Sequence, residues 1–324
     1  MISRALALLA IALLPPCLRA QDAAVWIAAV VQDATDGAAG RVVLEPIAQC
    51  DTRGCKTSWP EPVEEASEKI ARLEQIPARW LAPSGKLPRE WTLVMPGSAP
   101  RTFGLKAPTV VQAGCVEKWG IVTDLPPIKP AGEMFEAMAF SQKVDAIPAV
   151  PVVATSPEGE AVLASIARSF DGHERAALLA AAAGKEPLTL QGIPADAEAR
   201  AKEALVLEMA SRVDLPGGEA LVAFRAARTY HRGSEETRGP DTTLLQGWMR
   251  RAKDGSLRIV DHHVDLTDGD RVDVAEVEPL LSFELYGKRL VVAETTFYEA
   301  AAYAILEVGP EAPKSLIDVS SGGC

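Results

Sequence analysis

The spacing of apolar and polar positions divides this chain into three stretches. In the first, Val25–Gln32 (VWIAAVVQ) and Arg41–Glu45 (RVVLE) are short runs rich in β-branched residues. They predict two strands around a loop holding Asp36, Gly37 and Gly40. Val63, Ala66, Ile70 and Leu73 then recur at helical spacing, predicting a helix over Val63–Ile76 that Pro77 ends. Glu90–Met95, Thr109–Val116 and Trp119–Thr123 return to strand character.

The middle stretch predicts helices. Ser156-Pro157-Glu158 is a helix start, with proline at the first turn and acids where the helix dipole favours them. Val162, Ile166 and Phe170 would be its buried stripe. Asp171-Gly172-His173-Glu174 looks like the cap of a second helix ending at Gly184. A third helix is expected from about Pro194 to Val213, on the stripe Leu205, Val206, Met209 and Val213.

From Gly218 the pattern turns to strands over Ala220–His231, Leu244–Arg251 and Leu257–Leu266, with Asp254-Gly255 as a hairpin signal. Leu280–Tyr286 and Arg289–Tyr298 predict another hairpin around Gly287-Lys288, and Tyr303–Val308 a last strand. The fold class expected is therefore α+β: a β-rich N-terminal domain, a helical segment and a C-terminal antiparallel β-meander. Prolines thicken between about residues 125 and 156, which sets the boundary there. The expected units are 21–154, holding most of the tryptophans and cysteines, an α+β domain over 155–310, and a flexible tail over 311–324.

Residues 1–20 fit none of these units. Arg4 precedes an unbroken apolar run, Ala5–Leu14, and Pro15-Pro16 precedes Leu18-Arg19-Ala20. The run is half of the roughly 20 residues a spanning helix needs, and it has the length of a signal-peptide core. We expect a secretory signal cut after Ala20, and so a periplasmic or secreted protein. Cys17 suggests a lipidated cysteine instead, but Pro16 stands where a lipobox has a small residue.

Export changes the reading of the cysteines. Cys50 and Cys55 flank a turn-forming Asp-Thr-Arg-Gly, Cys115 could pair with either, and Cys324 ends the chain. An oxidising compartment favours disulfides among Cys50, Cys55 and Cys115, with the pairing left open. Zinc is disfavoured because the N-terminal half has no histidine, and the CxxxxC spacing is not that of a thiol oxidoreductase.

The formal net charge is −11, and loss of Arg4 and Arg19 makes it two units more negative. Such a chain lacks the cations that bind nucleic acid or anionic lipid, and no later segment is long enough to span a membrane. No GxSxG, HExxH, phosphate-binding or dinucleotide motif occurs, and no cofactor is implied. The densest polar cluster is Asp261-His262-His263-Val264-Asp265. On a strand, Asp261, His263 and Asp265 share one face, a candidate for metal binding or acid–base hydrolysis that His231 could join. Asp265–Glu276 has the length of a calcium loop, but Gly269 and Asp270 break its ligand pattern, so a hairpin turn is expected. Five of six tryptophans, at 26, 59, 80, 91 and 119, lie in the first region, as core or as the wall of a small-ligand groove. The expected role is non-catalytic, toward an unidentified envelope or extracellular partner.

Overall fold

The computed structural model describes residues 24–33, 40–57, 87–113, 116–129, 136–183, 192–215, 217–230, 241–267, 274–298 and 300–323. The signal segment, the helix expected over 63–76, Trp59, Trp80, Cys115, His231 and Cys324 lie outside these residues. Most of the rest is antiparallel β-sheet, with one long helix.

The first half is a closed barrel. Strands β1 (Val25–Asp33) and β2 (Arg41–Asp51) pair directly, and β3 (Gly54–Lys56) folds back on β2 as a short hairpin. With β4 (Glu90–Val94), β5 (Arg101–Ala113), β6 (Val116–Thr123) and β7 (Glu136–Phe140), the order is β1-β7-β4-β5-β6-β2, and the β1–β2 pairing completes the ring. Alternate residues of each strand point inward: Trp26, Ala28 and Val30 from β1, Trp91 and Leu93 from β4, Phe103 from β5 and Ile121 from β6. The other side of β1, with Val25, Ile27 and Ala29, is equally buried against a neighbouring sheet. That is why β1 reads as a continuous apolar run rather than an alternating one.

The second half is a sandwich of two five-stranded sheets. The segment after the barrel supplies an edge to each: β8 (Ile147–Pro148) and, one residue on, β9 (Val150–Pro151). Strands β10 (Leu205–Leu215), β11 (Glu219–Thr229), β12 (Thr242–Arg251) and β13 (Leu257–Thr267) continue from β9 in the order β13-β12-β11-β10-β9. Strands β14 (Glu276–Leu285), β15 (Lys288–Thr296), β16 (Ala300–Glu307) and β17 (Lys314–Gly323) form β17-β16-β15-β14-β8. Val213, Leu221 and Trp248 of the first meet Val291, Ala293 and Leu306 of the second in a shared core. The outer face of the second sheet lies on the barrel, where Phe283 meets Phe140 edge-on at 5.1 Å. The outer face of the first sheet carries helix α1 (Pro157–Ala183). The layers therefore run barrel, sheet, sheet, helix.

Several expectations change. The helix start at Ser156 stands: its hydroxyl accepts from the Gly159 amide at 3.1 Å. The two helices expected over 157–184 are one, because Asp171 does not cap but pairs with Arg228 at 2.8 Å. Glu174 instead extends the buried stripe Val162-Ile166-Phe170 by one more step of four. Gly172 inside the helix faces open space, at a cost of about 1 kcal/mol relative to alanine. The third helix shrinks to α2 (Ala197–Arg200), capped by Asp196, and Leu205–Leu215 is a strand. Pairing with β11 shifts between Leu207 and Met209, so a bulge at Glu208 breaks the alternation. Leu205 faces α1 and Val213 the core between the sheets, so the residues of the expected helical stripe lie on opposite faces of the strand.

The expected single meander is two, one per sheet, because β13 and β14 do not pair. The link after Thr267 is thus a passage between sheets rather than the hairpin expected over Asp265–Glu276. The turn of the β14–β15 hairpin is Tyr286-Gly287, both at positive φ (52° and 74°), one residue before the expected Gly287-Lys288. The tail expected to be flexible forms β17 along β16.

Candidate functional site

Strand β13 is an edge of its sheet and holds the expected polar row. Val264 packs toward α1 and Val260 toward the sandwich core. Asp261 pairs with Trp248 and His263 with Gln246, so Asp261, His263 and Asp265 lie on the face away from α1. His263 Nε2 sits 3.0 Å from Asp265 Oδ1, and Gln246 donates to the other carboxylate oxygen at 3.3 Å. The His263 side chain is 72% exposed. Among the described residues nothing encloses this pair, and access of water weakens both metal binding and acid–base catalysis. Among the described residues, no group of three or more His, Cys, Asp or Glu side chains could hold a metal ion.

His262 faces the opposite way, onto His173 of α1, with ring centroids 3.9 Å apart. Burial, and then the neighbouring imidazole, hold His173 below its ordinary value. Beneath them β12 and β13 approach unusually closely. A Cβ on Gly247 would lie 2.2 Å from the Asp261 carbonyl oxygen, so only glycine fits.

The described tryptophans of the first region are core residues. Trp26, Trp91 and Trp119 are each at most 3% exposed, and the first two fill the barrel interior. Of the cysteines, Cys50 and Cys55 form a disulfide across the β2–β3 hairpin, directly opposite each other in register. In the turn they close, Arg53 hydrogen-bonds Asp51 through side chain and backbone and holds that carboxyl down to about 2.

Two features were not legible in the sequence. One is a buried ionic knot beneath α1. Glu174, 1% exposed, accepts from the Tyr230 hydroxyl and from Arg200 Nε at 3.1 Å, and Arg228 approaches it at 3.4 Å. Arg228 also stacks over Phe170 at 4.7 Å, while Arg200 donates to the carbonyls of Pro194 and Ala195 at 2.8 Å. Burial, then the carboxylate, push the Tyr230 phenol well above its ordinary value, so it stays a donor. The knot ties α1, α2 and β11 together and is closed to solvent.

The second feature is a groove of about 1460 Å³ at the seam between barrel and sandwich. The barrel contributes Thr92 and Val94 of β4, Thr102 of β5 and Thr52 beside the disulfide. Residues Gln142–Ile147, linking β7 to β8, form a second wall with Lys143 and Asp145. The β14–β15 turn, with Glu284, Tyr286 and Gly287, forms a third. These residues come from separate parts of the chain, and no local motif announces them.

Comparison with known protein families, curated proteins and solved structures finds no match to this chain. Among the described residues, no helix is long and apolar enough to cross a membrane.

Proposed function

We propose that this is an exported, non-catalytic binding protein that holds an extended segment of a partner polypeptide in the groove between barrel and sandwich. The groove itself carries the reading. Small-molecule pockets occupy about 300–1,000 Å³, and this volume lies above that range. Its walls supply three threonine hydroxyls, a glutamine and charges of both signs, a mixture suited to a peptide's backbone and side chains. Among the described residues Tyr286 is the single aromatic one lining it, and the described tryptophans are buried in the core. The Cys50–Cys55 disulfide supports an oxidising compartment.

The test is selection from a displayed dodecapeptide library on the purified chain, followed by titration of an enriched peptide. Reversing charge at Lys143 (Lys143→Glu) and separately at Glu284 (Glu284→Lys) is expected to weaken binding by about tenfold or more. Failure to enrich any peptide, or enriched peptides indifferent to both substitutions, would discard the groove as the binding face.

A further inference from the structure

We infer that the outer edge of β13 is a self-association surface, pairing antiparallel with β13 of a second copy about a two-fold axis through Val264. The strand is eleven residues long and has β12 on one side only; among the described residues no strand pairs with its other side. Such an edge offers a row of backbone donors and acceptors that another strand can take up. The order of charges along it selects the occupant.

Asp261, His263 and Asp265 occupy one face, the face that α1 leaves uncovered. With the axis through Val264, His263 lies opposite Asp265 of the second copy, and the symmetry repeats the pair. Asp261 then faces the uncharged position 267. An axis through His263 would set Asp261 against Asp265, two like charges. An axis through Asp265 would set that carboxylate against itself. An axis through His262 would run pairing across the irregularity at Val260, where the β12 register jumps from Asp261 to Ile259. Only the Val264 register keeps the pairing within the regular stretch 261–267 and places every charge opposite an opposite or neutral one. Two ordinary sheets would then merge into one continuous sheet across the dimer, independently of the groove, which lies at the other side of the sandwich.

Charges and bulges on an edge strand also serve to prevent pairing, and that reading predicts a monomer. Sedimentation velocity of the purified chain over a range of concentrations separates the two. The native chain is expected to dimerise with rising concentration. His263→Asp and Asp265→His alone each set like charges across the axis and are expected to weaken the dimer roughly tenfold or more. An equimolar mixture of the two variants restores opposite charges at both pairs and should recover a heterodimer. A native chain that remains monomeric to roughly 0.5 mM overturns the proposal. So does a mixture that associates no better than its components.

Discussion

The two halves of this protein manage the same problem, free strand edges, in different ways. The barrel closes β1 on β2, so its hydrogen-bonding ladder has no beginning or end, and its interior is an apolar cluster around Trp26, Trp91 and Phe103. The sandwich stays open, and its helix is fixed by ions as well as by hydrocarbon. Glu174 accepts from Arg200 and Tyr230 under α1, while Glu158 at the helix start binds Arg212 and Arg251. Closure supplies order through geometry alone. An open sheet must specify where its covering helix sits, and charged side chains with few acceptable partners do that more selectively than apolar ones.

Three variants would break or sharpen this contrast. The largest effect is expected from Glu174→Gln, which leaves Arg200 and Arg228 buried beside a neutral amide. Removing one partner of a buried ionic pair costs about 3–5 kcal/mol. Hydrogen exchange should show the loss concentrated in α1 and β11, with the barrel amides still protected. Uniform loss across both halves would mean that they unfold as one unit and that the contrast has no energetic counterpart. A smaller effect is expected from Cys50→Ser with Cys55→Ser. The short loop they close implies a loss of about 2 kcal/mol on chain-entropy grounds, confined to the barrel side. Denaturant melts of oxidised and substituted protein measure it.

The smallest concerns pH. His173 is held below its ordinary value in the folded protein, so the unfolded chain binds a proton first as pH falls. The stability from this contact is complete above the unfolded pKa of about 6.5 and declines as pH drops below it. His262→Ala relieves the repulsion between the two imidazoles and should flatten the fall in Tm between about pH 7 and pH 5. An unchanged slope would show that the pair does not sense protons.

How much of this was legible depended on whether the information was local. The cap at Ser156, the Asp254-Gly255 turn and the stripe Val162-Ile166-Phe170 are local patterns, and the structure follows them. Leu205–Leu215 misled because β10 buries apolar residues on both faces, Leu205 and Leu207 toward α1 and Val213 and Leu215 toward the other sheet, and the bulge at Glu208 breaks what alternation remains. The break expected at Asp171 rested on a sound capping motif whose residues were claimed by more distant partners, Arg228 and Arg200. The splitting of the meander between two sheets and the closing of the barrel are decided by which strands meet, which no local spacing records. The candidate groove belongs to the same category, since its walls join around residues 52, 92, 143 and 286.

The ring of the barrel also carries a kinetic consequence. Closing it brings Ile27 opposite Phe140, and no contact along that seam forms until the chain between them has been gathered in. Within each sandwich sheet, β10 to β13 and β14 to β17 each pair with the strand next in sequence. Local pairings form quickly and distant ones slowly, because the entropy of closing a long loop precedes any reward. The later-made half is therefore expected to acquire its strands first. Until the seam closes, the unpaired flanks of β1 and β7 are open to capture by another strand.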